Sequence, residues 1–334
     1  MKRNTVIDFA KFVAAILVVA IHTHPFSDLS YEIYFFVVNI LCRLAVPFFA
    51  VCTGFYITTA FDIDRNAKSM LLVWKSMRKV LKMYLGWSVL YFLIHLCDWY
   101  VADTLYKEYV VGWCKSLFVS SSYFHLWYLT ALIYALPLFA LVLKNVHPRY
   151  YLIIAIPLWI YKAITYGYIQ FIPEWLKPLF SVSCPIEALQ TGFIFMLPLL
   201  LIGAWLTRFN LNNVSTKKME LLCLLFFVLL VFEVYNLRWI GGTRYSFIFV
   251  TFPLAAALFA YLYQAGKKNV KFQSKVFAQV SMIIYCLHPA VLWLLKGHVH
   301  NSLLLFLSVS IITIVLSFFW YYFKGAPIPF KQNY

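Results

Sequence analysis

Apolar stretches of about 20 residues recur along the whole chain. A stretch of that length is what an α-helix needs to cross the hydrocarbon core of a bilayer. Ten such spans can be drawn, at residues 5–24, 33–60, 74–97, 126–143, 150–166, 188–207, 219–237, 244–264, 275–295 and 302–323. The sequence therefore predicts an all-α integral membrane protein, a bundle of about ten transmembrane helices.

The composition supports a membrane protein. Hydrophobic residues make up 63% of the 334 residues and charged residues only 12%. A soluble domain of this size cannot bury that much apolar surface. The formal net charge of +16 would suggest a nucleic-acid partner in a soluble protein. Basic cytoplasmic loops explain it better in a membrane protein, so we expect membrane lipids and no nucleic acid as partners.

The distribution of basic residues predicts the orientation. If the N-terminus is cytoplasmic, nineteen of the 28 basic residues lie on the inner side and seven on the outer side, with Lys11 and Arg43 inside spans. Inner loops of membrane proteins are enriched in lysine and arginine. We predict a multi-pass protein of a bacterial inner (plasma) membrane with both termini cytoplasmic (N-in/C-in). Nothing resembles a separate soluble domain, so residues 1–334 are expected to form one polytopic domain.

Two of the predicted outer loops are long. Residues 98–124 include the aromatic, weakly amphipathic stretch Tyr106–Val119, which predicts a helix at the membrane surface. Residues 167–187 contain three prolines and are expected to be irregular. The aromatic residues near these loops either stack on sugar rings or form an interfacial aromatic belt; they are Trp99, Tyr100, Trp113, Tyr123, Trp127 and Tyr128.

The first span carries costly polar residues on one helical face. Asp8 and Lys11 lie near its start and His22 near its end. The eleven residues from Lys11 to His22 make three turns plus about 20°, with a rise of roughly 16 Å, so both side chains follow one stripe. Charged groups inside a span usually face the bundle interior or a wet cavity. Alternatively, His22 is an interfacial histidine that reaches water.

Polar residues in later spans form a second candidate group. Arg43 lies near the middle of its span and needs an acidic partner or a cavity. Glu233, Glu187 and the His288-Pro289 pair lie at similar predicted depths. These residues either bind substrate or form a structural polar network that holds the bundle together.

A basic cluster opens the third span. Arg78, Lys79 and Lys82 lie on the predicted cytoplasmic side. They either hold lipid phosphates or bind a phosphate-rich cytoplasmic donor. His298 and His300 have metal-ligand spacing but no third ligand, so we expect no metal site.

These residues resemble acyltransferase family 3, a family of membrane acyltransferases. Asp8, Lys11 and His22 are spaced like that family's helix-1 aspartate, arginine and histidine. The motifs that follow in order are Val46-Pro47-Phe48-Phe49 with Thr53-Gly54-Phe55, the basic start of the third span, His125-Leu126-Trp127-Tyr128-Leu129 and Ser281 to Pro289. Two positions depart from the family pattern, because Lys11 replaces arginine and Thr53 replaces serine.

Within this family the chain resembles the membrane half of vancomycin-resistance-type serine racemases. The residues that carry this likeness are Arg43 before Ala45-Val46-Pro47-Phe48-Phe49, Thr191-Gly192-Phe193 with Pro198 and Gly203, and Glu233. The chain has no racemase-like segment, so we expect neither racemisation nor a PLP lysine.

The resemblance implies a membrane O-acyltransferase. An acyl group, acetyl in the first instance, would move from cytoplasmic acyl-CoA to a hydroxyl of a glycan or small molecule at the outer face of the cell envelope. His22 would be the catalytic histidine, either as general base or as acyl carrier, with Lys11 and Asp8 beside it. Arg78, Lys79 and Lys82 would bind the co-substrate, and Arg43 or His125 would stabilise the oxyanion.

Two matters stay open from the sequence. The competing hypothesis is a small-molecule, amino-acid-like transporter in which Asp8, Lys11, Arg43 and Glu233 bind the substrate near the membrane midplane. The sequence also leaves open whether the protein forms a homodimer.

Overall fold

The computed structural model describes residues 4–63, 67–104, 106–181, 184–209, 211, 214–266 and 274–323. All regular structure within these ranges is helical. Residues 1–3 and 324–334, which include both termini, lie outside the described residues, as do several basic residues that we used to predict the orientation (Arg65, Lys267, Lys268 and Lys271). The N-in/C-in orientation stays a prediction.

Fourteen α-helices follow one another in the described residues. They are α1 (Thr5–Thr23), α2 (Tyr31–Phe36), α3 (Ala45–Ile63), α4 (Ala67–Val101), α5 (Lys107–Val119), α6 (Trp127–Asn145), α7 (Tyr151–Ala163), α8 (Lys177–Phe180), α9 (Glu187–Thr191), α10 (Leu197–Leu206), α11 (Thr216–Trp239), α12 (Thr251–Ala265), α13 (Ser274–Leu295) and α14 (Ser302–Phe323). Three π-helical segments extend them, at Val37–Leu41, Ile164–Tyr168 and Gly192–Met196.

Nine helical stretches in the described residues are long and apolar enough to cross a membrane. They correspond to nine of the ten predicted spans, so the multi-pass helical architecture is confirmed but the number ten is not. The remaining predicted span, 244–264, contains only the 15-residue helix α12. The chain before α12 is a turn with Gly241 at φ 87°, a backbone conformation that ends a helix.

The helix predicted in the first long loop is confirmed, and its place at the membrane surface stays a prediction. α5 begins at Lys107 and ends at Val119, and none of its residues is fully buried. Between the π segment Ile164–Tyr168 and α9 the described chain forms only 3₁₀ turns at Ile169–Phe171 and Glu174–Leu176 and the four-residue helix α8. The prediction of an irregular segment here is confirmed.

The chain divides into two compact units. The terminal unit comprises Met1–Val46 and Tyr261–Tyr334, and the central unit comprises Pro47–Ala260. In the terminal unit α1 packs along α13, and both helices contact α14. The core of this unit includes Ile7, Ala15 and Val19 of α1, which are completely inaccessible to solvent. The prediction of one functional domain over the whole chain stays a prediction.

Helix α6 lies at the core of the central unit. It packs against α4, α9, α10 and the π segment Gly192–Met196, while α7 packs against α10. Leu129, Ala135 and Phe139 of α6 are completely buried. Burial on several sides explains why α6 is apolar around its circumference.

Helices α3 and α10 approach each other closely through two glycines. A Cβ atom added at Gly54 would lie 2.1 Å from the Leu200 carbonyl oxygen, and one added at Gly203 would lie 2.3 Å from the Val51 carbonyl oxygen. Membrane helices use small residues in this way, because van der Waals packing and not the hydrophobic effect holds them together.

Candidate functional site

Helix α1 presents its polar stripe to the interior of the terminal unit. The Asp8 side chain is buried, and those of Lys11 and His22 are half-buried, on the face that also buries Ala15 and Val19. Asn4 fixes the start of the helix: its Oδ1 accepts a hydrogen bond from the backbone N–H of Ile7 (3.1 Å), and its Nδ2 donates to the carbonyl of Tyr263 (2.7 Å). The predicted polar stripe therefore lies along a packed helix face.

His22 stacks on His288. The two imidazole rings have centroids 5.3 Å apart and an interplanar angle of 23°. His288 is completely buried in α13, and its Nδ1 lies 3.1 Å from the carbonyl oxygen of Ile284. Because a carbonyl oxygen only accepts, Nδ1 carries the proton, and Nε2 is then the basic nitrogen of the neutral ring. The structure brings together two histidines that are 266 positions apart in sequence.

Arg43 lies in an irregular part of the backbone. It belongs to the 3₁₀ turn Cys42–Leu44, which separates the π segment Val37–Leu41 from α3. Pro47, four residues later, has no N–H to donate to the Arg43 carbonyl, so a regular α-helix cannot continue through this point. Departures of this kind often occur at functional sites.

The guanidinium group of Arg43 interacts electrostatically with two histidines of the terminal unit. Its Nη2 donates to Oδ1 of Asn39 at 3.4 Å, and its charge acts on both His22 and His24. The cluster of His22, His288 and Arg43 therefore combines basic nitrogens with a fixed positive charge. We call these three residues the imidazole–arginine cluster.

His24 adjoins this cluster. It ends α1 in the left-handed conformation (φ 53°), and its Nδ1 lies 3.2 Å from the hydroxyl oxygen of Tyr34. Burial and the positive charges of Arg43 and Lys296 lower the pKa of His24. The His24 ring is therefore neutral at neutral pH.

The loop after α1 is tied to the start of α14. Asp28 accepts hydrogen bonds from the backbone N–H of Ser302 (3.0 Å) and from its hydroxyl. These bonds lower the pKa of the Asp28 carboxyl and satisfy a free N–H at a helix N-terminus. The loop that carries His24 is thus held at a second point.

His125 lies in the central unit. It is completely buried in the 3₁₀ turn Phe124–Leu126, which leads into α6. Its ring makes edge contacts with Tyr91 (centroids 4.9 Å apart) and Tyr123 (5.7 Å). The predicted site residue is therefore enclosed by aromatic rings.

The two glutamates occupy different settings in the central unit. Glu233 accepts hydrogen bonds from the hydroxyl of Tyr168 (2.6 Å) and from the backbone N–H groups of Phe249 and Val250 (both 2.8 Å). It thereby caps the start of α12 from a neighbouring helix. Glu187 is exposed in the first turn of α9.

The basic residues of α4 form one exposed row. Lys75, Arg78, Lys79 and Lys82 are spaced i, i+3, i+4 and i+7, so they share a helix face, and all four are exposed. The row covers about 10 Å of helix length. We call it the α4 cationic row.

The other end of α4 lines an aromatic cavity of about 670 Å³. Three of the aromatic residues that we singled out in the sequence line it, namely Trp99, Trp113 and Tyr123, together with the acidic residues Asp98 and Glu108. Asp98 lies twenty residues beyond Arg78, a rise of about 30 Å, which is the thickness of a hydrocarbon core. The cavity and the cationic row thus lie at opposite ends of one helix.

Helix α5 closes this cavity and is fixed to its neighbours. Nε1 of Trp113 donates to the carbonyl of Ser122 (3.0 Å), and the hydroxyl of Tyr84 donates to the carbonyl of Leu117 (2.9 Å). The ring of Trp113 also packs against Phe92, with centroids 4.5 Å apart. The helix is therefore part of the packed unit as well as a surface element.

Sequence reasoning did not identify several residues that lie beside the predicted site residues. Asn39 has a usable signal, because it precedes Arg43 by four residues in a helical span. In the sequence His24 marks only the end of a predicted span. No sequence pattern indicates that Lys296 lies close enough to act on it. His95, Asp98 and Glu108 join the aromatic cavity only through the packing of α4 and α5.

The described residues contain no group of three or more histidine, cysteine, aspartate or glutamate side chains that could hold a metal ion.

Comparison with known proteins identifies relatives along nearly the whole chain. Two are amino-acid racemases from Enterococcus faecalis. The first is 24% identical over 322 residues, which covers 93% of this chain and 45% of the relative. The second is 24% identical over 327 residues, which covers 93% of this chain and 44% of the relative. A serine/alanine racemase from Enterococcus gallinarum is 26% identical over 292 residues, covering 86% and 40%. The chain spans less than half the length of these curated relatives. No solved structure matches it.

The family model described as "Acyltransferase domain", for acyltransferase family 3, matches residues 4–322. This match covers all fourteen helices except the last residue of α14, and it includes every residue of the imidazole–arginine cluster, the α4 cationic row and the aromatic cavity. The family predicted from the motifs is confirmed: the chain belongs to acyltransferase family 3.

Proposed function

We propose that the protein is a membrane O-acyltransferase that moves an acyl group, acetyl in the first instance, from cytoplasmic acyl-CoA to a hydroxyl group at the outer face. The observation that carries this proposal is the stacking of His22 on His288 beside the charge of Arg43. Acyl transfer to a hydroxyl needs a base for the hydroxyl proton and a positive group for the oxyanion. Membership of the family supports the same reaction class.

In this proposal neutral His22 removes the proton from the acceptor hydroxyl. The hydroxyl oxygen forms a bond to the acyl carbonyl carbon, and the carbon–sulfur bond of the thioester breaks. The coenzyme A thiolate leaves and takes up the proton from His22, so the products are an ester and the free thiol. The guanidinium of Arg43 stabilises the negative charge on the carbonyl oxygen during the transfer.

His288 is assigned a positioning role. Its Nδ1 proton is directed to the backbone of Ile284, and its ring packs on that of His22. This arrangement fixes the plane of the His22 ring, as a base needs when it must meet one proton in one place. Lys11 and Asp8 lie deeper along the same face of α1, and we assign them to the path of the donor's thioester arm.

Donor binding is assigned to the α4 cationic row. Phosphate groups make strong charge-assisted hydrogen bonds with lysine and arginine, and Arg78 can bind in a bidentate manner. The four cations of the row lie on one exposed face, which suits a ligand with several phosphates.

Acceptor binding is assigned to the aromatic cavity. Sugar rings pack their C–H faces on aromatic rings while carboxylates accept hydrogen bonds from their hydroxyls, and this cavity offers Trp99, Trp113, Asp98 and Glu108. The described residues that line it include no lysine or arginine. A neutral or amine-bearing sugar ring suits it better than an acidic one.

An amino-acid-like transporter is the second candidate function. The observation that favours it is the buried carboxylate of Asp8 in a membrane helix, with Lys11 one turn away. Transporters place such groups at the substrate site. Uptake of labelled serine by vesicles that contain the purified protein but no acetyl-CoA would support the transporter and count against the enzyme.

Binding of acetyl-CoA to the purified protein in nanodiscs tests the donor assignment. The Arg78→Ala variant should bind acetyl-CoA at least about tenfold more weakly, because a hydrogen bond to a charged group contributes roughly 1.5–3 kcal/mol. Lys217→Ala is the control, since Lys217 is an exposed cation at the start of a different helix, α11. Equal affinity of the Arg78→Ala variant and wild type would contradict the assignment.

A further inference from the structure

A second, larger cavity opens in the central unit where helix ends meet. Its volume is about 1040 Å³, and it is lined by the end of α3, the start of α4, the end of α6, the start of α7 and the end of α10. Met70, which lines it, precedes Arg78 by eight residues, a rise of about 12 Å. The cavity therefore lies at the same end of α4 as the cationic row. None of the site residues discussed above lines it.

The lining of this cavity is positively charged. Among the described residues that line it, Lys144, Arg149 and Arg208 contribute three positive charges and Asp62 one negative charge. Arg208 pairs with Asp62, with Nη2 and Oδ1 3.0 Å apart. In the part of the chain that the structure describes, Lys144 and Arg149 form no ion pair. The cavity thus carries two positive charges that a dianionic ligand would neutralise.

Aromatic rings lie beside these charges. Trp205 and Phe209 line the cavity and contact each other with ring centroids 4.2 Å apart at 62°. The Phe209 side chain is 46% exposed, so one of its faces is open to a ligand. Arg149 itself lies over the ring of Tyr150, 4.6 Å from its centroid, which holds the guanidinium in place. Two cations and an open aromatic pair match the two parts of a nucleotide, phosphates and base.

We infer that this cavity binds the adenine nucleotide end of the acyl-CoA donor, with the phosphates on Lys144 and Arg149 and the base against Trp205 and Phe209. A volume near 1,000 Å³ is at the upper end for small-molecule sites and accommodates a nucleotide. The identity of the nucleotide as acyl-CoA rests on the proposed function; the nucleoside diphosphate chemistry rests on the cavity alone. Coenzyme A carries a diphosphate and a separate phosphate on its ribose. Lys144 and Arg149 then bind the diphosphate, and the α4 cationic row binds the separate ribose phosphate.

A lipid headgroup is the other source of phosphate at this position. It would use the two cations but not the aromatic pair, because a headgroup carries no planar base. The two sources therefore differ in their dependence on Phe209.

The test measures binding of ADP, coenzyme A and inorganic pyrophosphate to the purified full-length protein by calorimetry, in nanodiscs of phosphatidylcholine. Lys144→Ala and Arg149→Ala should each weaken ADP and coenzyme A binding about tenfold or more, the loss of one charge-assisted hydrogen bond. Phe209→Ala should weaken ADP binding about tenfold and leave pyrophosphate binding unchanged, since the base loses an aromatic ring on which it stacks and pyrophosphate has no base. The control is Lys218→Ala, an exposed cation of α11 outside the cavity.

The inference is overturned if wild type binds none of the three probes, or if ADP binds and is indifferent to both Lys144→Ala and Arg149→Ala. It is also overturned if phosphatidylglycerol nanodiscs abolish ADP binding in wild type and Phe209→Ala has no effect, since a lipid phosphate then occupies the cavity. ADP binding that depends on Arg149 in a protein that transfers no acyl group would sustain the nucleoside diphosphate site and refute both the proposed function and the identity of the nucleotide as acyl-CoA. Acyl transfer that is unchanged in Arg149→Ala would support the proposed function and overturn the inference.

Discussion

The contact between α3 and α10 allows a quantitative prediction. An alanine Cβ at position 54 would lie 2.1 Å from the Leu200 carbonyl oxygen, and one at position 203 would lie 2.3 Å from the Val51 carbonyl oxygen. An ordinary contact is at least 3.4 Å. The two helices would therefore have to separate by about 1.1–1.3 Å, or their backbones would have to deform. Because the obstructing atoms are backbone atoms, no side-chain rotation can relieve the overlap.

We expect Gly54→Ala and Gly203→Ala each to destabilise the protein by about 1–3 kcal/mol, the usual cost of adding a methyl group to a filled interior. Gly86→Ala is the matched control, because Gly86 is also in a membrane helix and a Cβ there meets no atom within 4 Å. Alanine favours a helix over glycine by up to about 1 kcal/mol, so this control should be neutral or stabilising.

The assay is thermal unfolding of the purified variants in one detergent, followed by the loss of the monodisperse peak in size-exclusion chromatography. The two interface variants should unfold at lower temperature than wild type and Gly86→Ala at the same or higher temperature. If Gly54→Ala and Gly203→Ala unfold like wild type, or if all three variants are destabilised equally, the close approach of α3 and α10 is wrong.

Two further predictions concern single polar groups. Glu233→Gln replaces one of two carboxylate oxygens that accept backbone N–H groups, including that of Val250. This change should lower the free energy of unfolding by about 1–3 kcal/mol. The control is Glu174→Gln, because the Glu174 side chain is 86% exposed in its pair with Lys177, and it should change the free energy of unfolding by less than about 0.5 kcal/mol. The pKa of His24 is lower in the folded protein than its ordinary value of 6.5, so the unfolded chain binds the proton more tightly and stability should fall as the pH drops below about 6.5. His24→Gln should flatten that pH dependence of the melting temperature, and an unchanged slope would refute the assignment.

Helix positions followed from local properties of the sequence. Apolar length located the membrane helices, and the amphipathic pattern located α5, because both depend on residues close together in the chain. Only the part of the predicted span 244–264 from Thr251 onward is helical. The backbone N–H groups of Phe249 and Val250, just before that helix, are bonded to Glu233, which lies on another helix. A hydrogen bond to a residue on another helix leaves no pattern in the local sequence.

The candidate site was predictable in part. The periodicity of α1 correctly indicated that Asp8, Lys11 and His22 face the interior. The stacking of His22 on His288 joins α1 to α13, and the aromatic cavity joins α4 to α5. These contacts depend on how helices pack side by side. Sequence reasoning predicts a depth for each residue in the membrane but not which residues it contacts.

The most direct test of the proposed function is the release of coenzyme A from acetyl-CoA by the purified protein in nanodiscs, measured with and without an extract of envelope glycans. Wild type should release coenzyme A faster when the extract is present. His22→Ala should be slower by about a hundredfold or more, as loss of a general base predicts, while His298→Ala, an exposed histidine beyond α13, should match wild type. A His22→Ala protein that releases coenzyme A at the wild-type rate would contradict the proposed function.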